Sequence, residues 1–146
     1  MDAKTILNPK WWLIAFGALF LLAGASNYLG AEGSADTAYP GDYTDRDVFY
    51  EQTFGLFTMV AASLALVTGW MVSGRELSIL SMTSSGVMIA FFVLHYIAGE
   101  AVDYGFNNPA IVAVMVTLLA LLGISGYLHL NEEASAASSS DATSDS

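Results

Sequence analysis

The chain has 146 residues, 55% of them hydrophobic and only 12% charged, with a net charge of −10 and no cysteine. The lack of cysteine removes disulfides, thiolate nucleophiles, iron–sulfur clusters and cysteine-held zinc. Fourteen acids against four bases leave no basic patch for a phosphate backbone, which argues against nucleic acid as a partner.

Four stretches, 11–31, 52–74, 77–99 and 104–131, contain no Asp, Glu, Lys or Arg. Roughly 20 mainly apolar residues suffice to cross a bilayer core as a helix. None of the four has the polar face that a soluble helix turns to water. The expected fold class is therefore an all-α integral membrane protein with four transmembrane helices, over 11–31, 52–74, 77–99 and 108–130, in an up-down bundle. Residues 1–131 form this domain, and 132–146 form a tail.

In chain order, Asn8-Pro9 opens the first span, with Asn as cap and Pro at the first helical position. The apolar run from Trp11 is too long for a signal-peptide core and another span follows it, so it reads as a span rather than a leader. Trp11, Trp12 and Trp70, with Tyr28, Tyr96, Tyr104 and Tyr127, fall near span ends and form an interfacial belt. Gly30, Gly33, Pro40 and Gly41 among Ser, Thr and Asp mark a loop. Thr44-Asp45-Arg46-Asp47 then starts a helix outside the membrane, which Phe49, Tyr50 and Phe54 carry into the second span. Gly74-Arg75-Glu76 allows only a tight connection, predicting that spans two and three pair as an antiparallel hairpin. Asn108-Pro109 repeats the opening device before the fourth span. The acidic, Ser-rich tail 132–146 has no large apolar residue and is predicted to be disordered.

Small residues recur at helical spacing: Gly17 and Gly24, then Gly55, Ala62 and Gly69, then Ser78, Ser81 and Ser85, followed by Gly86 and Ala90. Such stripes let helices approach closely, and packing is the simplest reading. A hydroxyl-lined pathway along the third span is the functional alternative.

Lys4, Lys10 and Arg75 lie on one side and Arg46 alone on the other. The positive-inside rule then places both termini in the cytoplasm of a multi-pass plasma-membrane protein. The outer side carries Glu32, Asp36, Asp42, Asp45, Asp47, Glu51, Glu100 and Asp103 against Arg46. Such acid density suits a host with high internal salt, where screening makes it tolerable.

Chemistry-bearing residues are few. His95 lies near the outer end of the third span, with Glu100 and Asp103 following, and Glu51 opens the second span. One imidazole and three carboxylates form a candidate metal site, with a divalent ion, or a haem held by His95, as the alternative to no cofactor. His129 closes the fourth span nearly a bilayer away, so the two imidazoles cannot share one haem iron within a single chain. A His at a helix carboxyl end is favoured by the dipole alone. No charged residue occupies the middle of a span, where ion pathways usually show them, and no nucleophile–base pair stands out.

In length and span count the chain resembles the small four-helix membrane proteins of the DoxX-like kind. That likeness is one of gross layout. Phe16-Gly17-Ala18-Leu19-Phe20 lacks the early polar or basic residue of those families, and no residue role is carried over.

The expected function is that of a non-enzymatic accessory or scaffold subunit in the lipid bilayer, a homo-oligomer or part of a larger membrane complex. Its docking surface would be the acidic outer loop, with Tyr39, Tyr43, Arg46, Phe49 and Tyr50 as contact residues. Two other classes fit the composition: an oligomeric small transporter or cation channel, and a redox subunit using His95.

Overall fold

A computed structural model of the chain describes residues 2–131, so the tail 132–146, expected to be disordered, lies outside the described residues. Among the described residues six helices follow one another: α1 (Ala3–Ile6), α2 (Pro9–Leu29), α3 (Ala31–Ala38), α4 (Asp45–Met71), α5 (Gly74–Glu100) and α6 (Pro109–His129). Four are long and apolar enough to cross a membrane. At about 1.5 Å per residue, the 21 residues of α2 and of α6 span roughly 32 Å, close to the thickness of a bilayer core.

The helix starts follow from their caps. Asn8 Oδ1 accepts the Lys10 N–H at 3.0 Å, and Asn108 Oδ1 accepts the Ala110 N–H at 2.9 Å, each with Pro at the first helical position. At α4, Asp47 Oδ2 accepts from the Thr44 N–H (2.8 Å) and the Thr44 hydroxyl (2.6 Å), which fixes the start at Asp45 as the sequence predicts.

Two features differ from expectation. The segment after Gly30 is not all loop, because α3 forms there. Its Ala31, Ala35 and Ala38 share one face, and Ala35 is 0% exposed where α3 lies against α4. The turn signals of the segment are real but act only at its ends. The second difference concerns pairing. Val72 and Ser73 alone join α4 to α5, and the two run antiparallel, yet their close packing partners are elsewhere: α4 packs on α2, and α5 on α6. Small residues decide this. A Cβ on Gly55 would stand 2.7 Å from the Gly24 carbonyl oxygen, and one on Gly126 would stand 2.5 Å from that of Ser78. Only glycine permits helices to approach so closely, and the resulting van der Waals contact is what holds helices together in lipid.

The serines of α5 belong to that packing. Ser78, Ser81 and Ser85 are buried, and Ser85 Oγ donates across the pair to the Leu119 carbonyl at 2.7 Å. Ser78 Oγ donates to its own helix at Gly74, and Ser81 Oγ is buried with no partner among the described residues. The two helix pairs meet through a small apolar core of Leu13, Phe16, Leu77, Leu119 and Leu122, extended by the Phe20–Phe92 contact at 6.3 Å. Most remaining large side chains on the helices face outward, as a lipid-facing surface requires.

Candidate functional site: the capped end of the bundle

One end of the bundle is covered by α3 and by the 101–108 connection. Glu51 sits beneath this cap, 7% exposed, at the second turn of α4. Its Oε1 accepts the Tyr104 hydroxyl at 2.8 Å, and its Oε2 accepts the Asn27 amide at 2.9 Å. The same Asn27 nitrogen also donates to the Glu51 carbonyl at 2.9 Å. One carboxylate thus ties α2, α4 and the α5–α6 connection together. A carboxylate with a donor on each oxygen is stabilised by what surrounds it, and removing either donor would leave buried acceptor capacity unpaired.

Tyr104 is the centre of an aromatic cluster. Its ring meets Tyr39 edge-on at 5.8 Å, His95 edge-on at 5.7 Å and Phe106 at 5.7 Å. Burial first, and then its hydrogen bond to the Glu51 carboxylate, push the Tyr104 phenol well above its ordinary range. His95 in turn lies nearly parallel to two phenyl rings, Phe54 at 6.1 Å and Phe91 at 5.7 Å, at interplanar angles of 13° and 11°.

The cap is fastened at several further points. The Gly105 N–H donates to the Ala38 carbonyl at 2.9 Å, and its α-carbon lies so close to the Thr37 carbonyl oxygen that no Cβ would fit. Asn107 Nδ2 donates to the Tyr96 carbonyl (3.1 Å) and to Glu100 Oε1 (2.7 Å). Asp103 takes a left-handed φ of 53° where the chain reverses. On the outer rim the Tyr43 hydroxyl reaches Glu32 Oε1 at 3.3 Å, and the charge of Glu32 is the main cause raising that phenol.

The residues singled out in the sequence are therefore distributed. His95, Glu51, Glu100 and Asp103 share one end of the molecule but do not converge: Glu51 is held by Tyr104 and Asn27, Glu100 by Asn107, and His95 is flanked by rings. Among the described residues no three His, Asp or Glu side chains form a group that could hold a metal ion. Of the docking set, Tyr39 packs inward on Tyr104 and Tyr43 faces Glu32, while Arg46, Phe49 and Tyr50 are exposed, the last two with rings 6.2 Å apart. Asn27, Phe54, Phe91 and Tyr104 are central here, and sequence reasoning assigned them at most to belts and span ends.

No protein-family model, curated protein or solved structure matches the chain.

Proposed function

We propose that the protein is a non-enzymatic membrane subunit that docks onto a partner through its capped end. One observation carries the reading: the buried polar groups of this end are used to fasten the cap, while Phe49 (61% exposed) and Tyr50 (58% exposed) project from the first turns of α4 beside Arg46. Aromatic and Arg side chains of this kind dominate binding energy at contact cores. The surrounding acids, Asp42, Asp45 and Asp47, would steer a basic partner surface. The partner is a second copy or another membrane subunit, and the capped end faces outward from a plasma membrane with both termini cytoplasmic.

Photocrosslinking residues placed at Phe49 and Tyr50 in native membranes test this directly. The expected result is a discrete adduct from each position, and the adduct formed from a probe at neighbouring Asp45 should disappear in the double variant Phe49→Ser, Tyr50→Ser. A chain that crosslinks only to lipid from both positions would defeat the reading. Reporter fusions at Asp2, Asp36 and Gly74 check the orientation, with Asp36 alone expected outside.

A further inference from the structure

The capped end holds an imidazole whose polar atoms are unused among the described residues. His95 of α5 is exposed, its contacts are with rings alone, and no hydrogen bond reaches either ring nitrogen. Phe54 from α4 and Phe91 from its own helix lie within 13° and 11° of its plane, with centroids at 6.1 and 5.7 Å. Tyr104 meets it edge-on. Both phenylalanines are themselves exposed, by 44% and 43%. Because α4 packs on α2 and α5 on α6, the two helices meet at this level through their rings rather than through close backbone contact. Three near-parallel rings from two helices offer a flat π system several offset-stacking partners in one orientation.

Depth decides from where a ligand arrives. His95 lies five residues before the end of α5, about 8 Å along the axis, and touches the connection that carries Tyr104. Tyrosines at span ends mark the membrane–water interface. Leu94 and Ile97 beside His95 are 66% and 60% exposed, as residues facing lipid are. A ligand of this corner therefore comes from the bilayer and carries an apolar part. The imidazole decides the polar part. In either neutral tautomer or as the cation the ring carries at least one N–H, so an acceptor is matched in every form. Charge narrows the choice further. Glu51, Glu100 and Asp103 stand at this end and Arg46 is its one base. An anionic acceptor such as a phosphate is disfavoured there, and a neutral carbonyl oxygen suits.

From this we infer that the His95 corner binds the head of a membrane-dissolved isoprenoid quinone, a flat conjugated ring with neutral carbonyl oxygens and an apolar tail. One carbonyl accepts from the His95 ring, the quinone ring lies against Phe54 and Phe91, and the tail stays among the lipid chains. A phospholipid ester offers the carbonyl without the flat ring, and its phosphate brings the wrong charge. Binding alone is inferred, with no electron passed to or from the protein. The inference rests on the membrane-spanning role of the four long helices and is independent of what docks at Phe49 and Tyr50.

The test uses full-length protein in detergent, titrated with a short-tailed menaquinone or with the dimethyl ether of its reduced form. The ether keeps the ring and tail but has no carbonyl. Retained compound is measured after gel filtration, against protein-free micelles carried through the same steps. The quinone is expected to bind saturably and about tenfold more tightly than the ether, equivalent to about 1.4 kcal/mol. His95→Phe keeps an aromatic ring and should bring the quinone down to the level of the ether, leaving the ether unchanged. Phe91→Leu should weaken both compounds, by about fivefold. Phe57 is 70% exposed on α4 but has no part in the ring cluster, so Phe57→Leu should change nothing. Retention no greater than that of protein-free micelles overturns the inference, as does equal binding of quinone and ether by the unaltered protein. Quinone binding that survives intact in a folded His95→Phe protein overturns it too. Equal loss in Phe57→Leu and Phe91→Leu would mean that apolar surface alone takes up the compound, and the site assignment would be wrong. The comparison of quinone with ether on the unaltered chain decides the matter even where a variant fails to fold.

Discussion

Glu51 is the residue on which the capped end depends, and its contribution comes from what it satisfies. In Glu51→Ala the Tyr104 hydroxyl and the Asn27 amide both lose their acceptor, and each stranded group costs about 1–3 kcal/mol. Glu51→Gln keeps one acceptor oxygen and should cost less than half as much. Thermal unfolding of the three proteins in one detergent measures the order, and an Ala variant as stable as the parent would show that the cap is held without the carboxylate. Tyr104 adds a pH prediction. Its phenol is raised above the ordinary tyrosine value of about 10, so above that pH the unfolded chain releases a proton that the folded chain retains. The unfolded state then binds fewer protons, and stability must fall as pH rises through and beyond the ordinary value. Ultraviolet titration should show Tyr104 among the phenols that ionise late, and Tyr104→Phe should remove one tyrosine's share of that late amplitude. Little of this was legible in the sequence. Glu51 is visible as the last acid before an apolar run, but its partners lie 24 and 53 positions away, and no local period points to them.

At the scale of elements, the spans were legible because lipid imposes a length and an apolarity that no folding detail overrides. The caps at Asn8, Thr44 and Asn108 were legible because they are local. α3 was not, since Gly30, Gly33 and Pro40 speak for a loop and the countersignal is only Ala31, Ala35 and Ala38 at helical spacing. Helix pairing was misjudged for a related reason: a short connection fixes direction, but side-chain shape fixes partners. The glycines make that claim testable. Gly55→Ala places a methyl against the α2 backbone and must separate α2 from α4, at about 1–3 kcal/mol. Gly86 has the same residue type in the middle of α5 with open space around it, so Gly86→Ala should be neutral or slightly stabilising, by up to about 1 kcal/mol. Comparable losses in both would mean that helix propensity, not close approach, sets the effect. Asp47, held below its usual range first by the Thr44 hydroxyl and then by the Thr44 amide, adds stability that is present above the ordinary carboxylate value and fades as pH falls through the depressed one.

The whole molecule is two helix pairs, α2 with α4 and α5 with α6, joined covalently only at Val72 and Ser73. Within each pair the contact is backbone-close, whereas between pairs it rests mainly on two regions of side-chain contact, which the ring contacts of Phe92, Phe91 and His95 connect. One is the apolar core around Phe16, Leu119 and Leu122; the other is the cap, where Tyr104 reaches Glu51, His95 stacks on Phe54 and Gly105 bonds to Ala38. In lipid there is no hydrophobic force to drive the pairs together, so shape and hydrogen bonds must suffice. Cutting the chain between Val72 and Ser73 should therefore leave two fragments, 1–72 and 73–146, that insert separately and copurify when expressed together. Phe16 lies 11 residues before Asn27 on α2, roughly 16 Å along the helix, and its ring partners Trp12 and Phe20 are not among those of Tyr104, so substitutions at Phe16 and Tyr104 should act independently. Phe16→Ala and Tyr104→Phe should each weaken copurification. Tyr104→Phe removes a hydrogen bond to a charged group, an effect of about 1.5–3 kcal/mol, and the double variant should lose the sum of the two. Fragments that fail to associate without substitution would show that the short connection, rather than the packing, holds the pairs together. A double variant no weaker than either single one would mean the core and the cap form a single cooperative contact.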